Sequence, residues 1–291
     1  MGKFNYFLNK EERSNAAREH TKRMDEIYVY NTQDSVKRTV MYDGSHIESP
    51  ITSVYNGDTE FVFRNTDTVT ALFNEKKENT GCEKYAVLNF ASFKNPGGRF
   101  LDGSSAQEEC LCHESNLYNI LVNFKDSFYI PNKSRLNNSL YDDHLLYTPD
   151  VIFDRGESMK CTADVITCAA PNKTAAQKYR DIPDDKVDEA LISRVHSVLM
   201  SAYCQSTDGI ILGAFGCGVF GNDIKTLAII YRGLFDHKYK RCFKRVVFAI
   251  PTLKDGDDTF DKFIASFTMR IGHPPFDITE RVYYGKYGKR I

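Results

Sequence analysis

The chain has no tryptophan, no excess of either charge and no long unbroken apolar run. With 38 basic against 39 acidic residues the formal net charge is −1, so no overall field draws it to nucleic acid or to an anionic membrane. Any polyanion must be met by a local site. A membrane-crossing helix needs about 18 or more consecutive apolar residues, and no stretch approaches that. The first residues lack the apolar segment of a secretory signal, and Tyr6 stands where N-myristoylation requires Ser or Thr. The 8 cysteines show no repeated spacing, too sparse for a disulfide framework and consistent with thiols in a reducing compartment. No low-complexity tract or internal repeat divides the chain. A cytoplasmic location is expected, or a nuclear one if the cell is eukaryotic, with no membrane association.

What is present suits one large core. Hydrophobic residues make up 42% and aromatic residues 13% of the 291, ordinary globular values. Residues 9–24 are rich in Lys, Glu, Arg and Ala and read as a charged accessory helix. Short apolar runs follow at Thr39–Tyr42, Phe61–Arg64, Tyr85–Phe90, Val165–Ala170, Gly209–Ala214 and Arg245–Ile250. Stretches of helical period lie among the later ones, at Ser105–Phe124, Val187–Tyr203, Asp223–Phe235 and Thr259–Phe267. Near-continuous apolar strands are those covered on both faces, and interleaved helices supply the cover. The expected class is therefore α/β, a three-layer α/β/α arrangement about a central sheet. The polar stretch Asn132–Asp143 reads as a surface insertion.

The run from Val87 to Glu109 leaves a strand, crosses a loop containing Asn95, Gly97, Gly98 and Gly103, and enters a helix. Open α/β sheets place ligands there. The glycines let the backbone approach something bulky, and an anionic or hydroxyl-rich ligand suits the helix start. Gln107, Glu108 and Glu109 occupy the first turn, where successive side chains point about 100° apart, so at most one carboxylate aims squarely at a given atom. Glycoside hydrolysis needs such divided labour, one carboxylic acid to protonate the leaving oxygen and polar neighbours to hold the sugar hydroxyls. A second reading stands beside it for Glu108: Ser105 to Glu108 has the spacing of a capping box.

Asp208 to Asp223 reads as strand, glycine loop and helix, with Asn222 or Asp223 as N-cap. Backbone amides in such a loop can cradle a diphosphate. Gly216, Gly218 and Gly221 also satisfy the dinucleotide fingerprint. That fingerprint should open a long βαβ series, whereas here the next strand ends in Pro251 and little sheet follows. A purely structural turn is the third reading.

Together these two runs resemble the bacterial-type poly(ADP-ribose) glycohydrolases, a branch of the macrodomain superfamily. The resemblance covers roughly Phe61 to the C-terminus, leaving out residues 1–25 and the stretch near Asn132. It is carried by Asn95-Pro96-Gly97-Gly98 followed closely by Gln107-Glu108-Glu109. Phe63–Thr68, Leu146–Val151, Val165–Asn172 and Gly213–Phe220 support it in the same order.

The resemblance implies a macrodomain with a mixed sheet, residues 31–291, behind an N-terminal helical extension, residues 1–30. It implies that Glu109 is the catalytic acid and then the base, with Glu108 on the ribose hydroxyls. Gln107, Asn95, Gly97 and Gly98 would surround the distal ribose, Gly216, Cys217, Gly218 and Val219 would hold the diphosphate, and Phe220 would shape the space beside the terminal ribose. Asp67 stands where an acid meets the adenine amine. The substrate would be poly(ADP-ribose) or an ADP-ribosylated protein and the product ADP-ribose, with no metal, no cofactor and no direct nucleic-acid binding. Alternatives are removal of single ADP-ribose units from protein, or binding without cleavage. One departure is Arg99, where the family usually has a third glycine. It would contact a phosphate, crowd the loop or swing into solvent.

Other residues invite less. Cys110, Cys112 and His113 face different directions on one helix and lack a second ligand pair, so they read as core thiols and a packed ring. Cys217 needs only a backbone role, and His196 sits in an apolar helix. The basic, tyrosine-rich stretch Arg281–Ile291 suits either stacking on a nucleic acid or polymer, or docking on the fold by its tyrosines.

Overall fold

The computed structural model describes residues 8–43, 51–78, 80–156 and 159–269; the stretch Arg281–Ile291 lies outside them. The described elements run α1 (Lys10–Arg38), β1 (Val40–Tyr42), β2 (Glu60–Arg64), α2 (Thr68–Lys77), β3 (Tyr85–Phe90), α3 (Gln107–His113), α4 (Leu117–Leu121) and a single turn α5 (Ile130–Asn132). Then come β4 (Leu145–Asp154), β5 (Lys160–Cys168), α6 (Lys173–Arg180), α7 (Asp184–Cys204), β6 (Gly209–Leu212), α8 (Ile224–Asp236), β7 (Arg245–Ala249) and α9 (Thr259–Thr268).

The seven strands form one mixed sheet in the order β1-β4-β5-β3-β6-β7-β2. Strands β5, β3, β6, β7 and β2 run parallel, while β4 is antiparallel to both β5 and β1. The carboxyl ends of the five parallel strands therefore share one edge, from which the Gly97 and Gly216 loops emerge. This order, with its antiparallel flank, is not that of a dinucleotide-binding series.

Two cores flank the sheet, and the alternation of side chains along each strand feeds both. Ala86 and Leu88 of β3, Ile210 and Leu212 of β6, and Val246 and Phe248 of β7 pack with α7, α8 and α9. Tyr85 and Val87, Ile211, and Val247 and Ala249 face the other way, toward α1, α2, α3 and α4. The expected three layers are present.

Two expectations need correction, and a third gains detail. The first helix runs past residue 24 to Arg38, kinked at Tyr28 and opened by an Asn9–Glu12 capping box; Arg23 and Tyr28 meet buried Asp154 at the end of β4. The helical stretch Ser105–Phe124 is broken, because Asn116 turns its side chain to the amide of Ile152 and Ser115 bridges Phe153, which docks the chain on β4. The stretch Asn132–Asp143, largely at the surface, is tied down at its two ends. Asn132 is buried and donates to the Phe93 carbonyl, and Asp143 pairs at 2.9 Å with fully buried Arg194.

Candidate functional site

After β3 the chain makes a tight turn in which Gly97 and Gly98 are both left-handed, with φ of +64° and +62°. A Cβ on Gly97 would lie 2.6 Å from the Tyr118 ring. One on Gly98 would lie 2.5 Å from Oε1 of Glu109 and 2.9 Å from Oε2 of Glu108. Glycine here is thus a matter of space as well as of backbone angle, and the two carboxylates converge on the outer face of the turn.

The capping-box reading of Glu108 does not hold. The residue before α3 is Ala106, which makes no side-chain cap, and Glu108 reaches across to the strand instead. Its Oε2 accepts from the Ser92 amide at 2.7 Å and its Oε1 from Asn89 at 3.3 Å. Burial pushes its carboxyl up to about 8; the Ser92 amide opposes this, and the neighbouring Glu109 adds to it. Glu109 is 6% exposed. Its Oε1 accepts from the Arg99 amide at 2.9 Å, while its buried Oε2 has no partner among the described residues. A carboxyl oxygen held back from every protein donor is one aimed at something else.

Gln107 occupies a different place from that expected of a sugar contact. Its carbonyl accepts from the Phe90 amide at 2.8 Å, and its amide donates to the Leu88 carbonyl at 2.8 Å and to Thr68 at 3.2 Å. The side chain ties the start of α3 to the end of β3. Asn95 is exposed and its carbonyl closes the glycine turn onto the Gly98 amide. Arg99 has φ −116°, which any residue adopts, and its side chain, 65% exposed, swings out to Asp102 at 3.1 Å. It neither crowds the loop nor requires glycine.

The second loop lies beside the first because β6 neighbours β3: a Cβ on Gly213 would be 3.1 Å from the Phe90 ring. Gly216 has φ +76°, and a Cβ there would strike Asn222 at 2.4 Å. Asn222 braces the loop through the carbonyls of Pro171 and Gly216, leaving Asp223 as the cap of α8. The Cys217 amide is taken by the Ala214 carbonyl. Those of Gly216, Gly218, Val219 and Phe220 meet no acceptor among the described residues, and Gly218 and Val219 are exposed. Such a run of outward amides suits an anion. Phe220 stands 6.1 Å from Tyr141, which stacks at 4.4 Å on Phe93 of the first loop. Through these rings the two constellations are brought side by side.

Asp67 sits just after β2, at the start of α2. Its oxygens accept from the amide and hydroxyl of Thr70, and Arg155 stands 3.4 Å away. Among the described residues no group of three or more His, Cys, Asp or Glu is arranged to hold a metal ion. Cys112 is buried behind the turn, and His196, half-buried, meets the Tyr239 hydroxyl at 2.6 Å.

The family model for the catalytic domain of microbial-type PARG, poly(ADP-ribose) glycohydrolase, matches residues 8–156. The chain belongs to this family. The glycohydrolase match takes in α1, which the sequence resemblance leaves out, and ends after β4, short of the second loop. Among solved structures, poly(ADP-ribose) glycohydrolase from Thermomonospora curvata is similar at 26% identity and a TM-score of 0.80, covering 88% of this chain and 100% of that one. The same enzyme bound to the inhibitor ADP-HPD gives 28% and 0.76, with coverage of 88% and 100%. The Deinococcus radiodurans glycohydrolase in complex with ADP-ribose gives 28% and 0.72, covering 81% of this chain and 96% of that one. No curated protein sequence matches.

Sequence reasoning missed three glycohydrolase residues around the carboxylates. Asn89 is fully buried between Glu108 and Thr167. Ser92 caps Glu108 with its amide. Tyr129 is fully buried with its hydroxyl unpartnered among the described residues. A polar residue inside an otherwise apolar strand, as at Asn89, is the signal that points to the first of these.

Proposed function

We propose that this chain hydrolyses the ribose glycosidic bonds of poly(ADP-ribose) and releases ADP-ribose, with Glu109 as acid and then base. The observation that carries the assignment is the placing of Glu109: one oxygen is fixed by the Arg99 amide and the other is buried and unpartnered among the described residues, beside two glycines. Burial pushes the adjacent Glu108 carboxyl up to about 8, so negative charge is disfavoured in this corner of the site. As the acid, Glu109 gives a proton to the leaving oxygen as the ribose C1″–O bond breaks and positive charge develops on the ring. The carboxylate left on Glu109 then accepts a proton from the water that attacks the same carbon.

Glu108, oriented by Asn89 and Ser92, takes the ribose hydroxyls. Gly97, Gly98 and Asn95 lie against the distal ribose, and Gln107 acts through the main chain by fixing α3 on β3. The free amides of the Gly216–Phe220 loop receive the diphosphate, with Phe220 beside the terminal ribose. Asp67 accepts from the adenine amine. In domain terms, α1 is an N-terminal extension that packs on the catalytic domain, its end at Arg38 lying past residue 30 where the sequence sets the boundary. All 8 cysteines are free thiols and no described helix is long and apolar enough to cross a membrane, which favours a reducing, cytoplasmic site of action.

The experiment is release of free ADP-ribose from poly(ADP-ribose) by the purified protein, with Glu109→Gln in parallel and ADP-ribose affinity measured calorimetrically on both. Turnover by the wild type alone, with similar affinity in both, supports the reading. Equal turnover by the variant removes Glu109 as acid, and binding without release by the wild type removes the activity.

A further inference from the structure

The turn that carries Gly98 and Arg99 does not stand alone. Within it, Phe100 and Asp102 donate to the carbonyls of Gly97 and Arg99, and Gly103 and Ser104 close back on Phe100 and Arg99. Among the carbonyls this leaves for other donors are those of Leu101 and Gly103, and the first turns of α1 take both. Arg13 donates its Nε to the Gly103 carbonyl at 2.7 Å, and Ser14 donates its hydroxyl to the Leu101 carbonyl at 2.6 Å. The fit is close: Gly103 has φ +75°, and a Cβ there would lie 2.0 Å from the Lys10 carbonyl. Farther along, Ala17 is fully buried in the same core as Phe100, and His20 meets the Ser115 carbonyl at 2.9 Å. The helix therefore grips the loop at one end and the α3–α4 corner at the other.

From this geometry we infer that Arg13 and Ser14 are positioning residues for the acid, acting through the Leu101–Gly103 carbonyls and the Arg99 amide on Glu109. The inference rests on Glu109 being the acid. The only protein donor to Glu109 among the described hydrogen bonds is a main-chain amide in this turn, so any freedom of the turn is transmitted to the carboxyl without a side chain to absorb it. A displacement near 1 Å at a reacting group lowers rate by as much as about 100-fold. The diphosphate loop and Asp67 make no contact with Arg13 or Ser14 among the described hydrogen bonds. Loss of the grip falls on kcat rather than on affinity for ADP-ribose.

The test compares the full-length wild type with Arg13→Ala/Ser14→Ala and Arg13→Lys on poly(ADP-ribose), together with amide hydrogen exchange over residues 97–104. Expected for the double variant are a kcat about ten-fold lower, an ADP-ribose Kd within about three-fold and faster exchange of the loop amides, with recovery toward wild type in Arg13→Lys. The thermal midpoint identifies a variant that has lost its fold, in which case Arg13→Lys and Ser14→Ala singly take its place. Unchanged kcat in a folded double variant, or unchanged exchange in the loop, overturns the inference. A fall in kcat matched by an equal loss of ADP-ribose affinity also overturns it, because that is the mark of general loosening. If Glu109→Gln turns over like the wild type, it is the assignment of the acid that fails, whatever the Arg13 variants do.

Discussion

The main-chain amide of Arg99 lies 2.9 Å from Oε1 of Glu109, while the Arg99 side chain points away to Asp102. The residue that takes the place of a glycine therefore serves the carboxyl with an atom every residue has. Arg99→Ala is expected to leave kcat within about two-fold and stability within about 1 kcal/mol, as for an exposed ion pair. A large fall in polymer turnover would give the guanidinium a role of its own.

Glu109→Gln keeps the acceptor that meets the Arg99 amide but has no proton to deliver. Turnover on poly(ADP-ribose) should fall roughly 10²- to 10⁴-fold, with ADP-ribose affinity changed only a few-fold, measured by product release and calorimetry.

The pH profile follows from Glu108. Its folded carboxyl is raised by burial to about 8 from an ordinary 4.5. The folded state thus holds a proton that the unfolded state has lost between those values. Its contribution to stability is full below pH 4.5, declines above it and is lost through pH 8. Turnover should fall on the alkaline side near pH 8 as Glu108 loses its proton and a new charge appears beside the ribose. In Glu108→Gln the slope of stability against pH over this range should flatten, and the alkaline limb of kcat near pH 8 should disappear. Denaturant titrations and rate profiles from pH 5 to 9 decide it; an unmoved limb would assign it to a group other than Glu108.

Gly98→Ala places a methyl group against both carboxylates at a left-handed φ. Turnover should disappear and stability should drop by ~1–3 kcal/mol, read from kcat and thermal unfolding. Wild-type activity would mean that the turn relaxes without disturbing the acid.

The second loop offers an internal control. A methyl group on Gly216 meets Asn222 at 2.4 Å, whereas one on Gly218 meets nothing within 4 Å. Gly216→Ala should weaken ADP-ribose binding at least about ten-fold and Gly218→Ala much less. The reverse order would argue against amides of this loop as the diphosphate cradle.

The parallel strands were legible because β3, β6 and β7 are short apolar runs buried on both sides, and the two glycine loops announced the edge at which a ligand sits. Strand β4 was not legible as a strand. Pro149 and Asp150 interrupt it, Asp150 adopts φ +52°, and the pairing with β5 shifts register there. The Gln107-Glu108-Glu109 run disclosed its importance but not its division of labour. Whether Glu108 caps its own helix or reaches to Ser92, and whether Gln107 faces a sugar or β3, depends on where a neighbouring strand ends. Local spacing carries no information about that. The engagement of α1 was hidden for the same reason, since Arg13 and Ser14 meet bare carbonyls, which any sequence supplies.

Strand β2 joins the sheet only through β7, and the paired residues Glu60 and Arg245 stand 185 positions apart. A ribosome adding roughly 5–20 residues per second emits Phe61, Val62 and Phe63 some 10–40 s before their partner strand exists. During that interval the segment is an unpaired apolar edge of the kind chaperones bind. Completion of the sheet, and with it the seating of α2 and Asp67, consequently waits until β7 has been made.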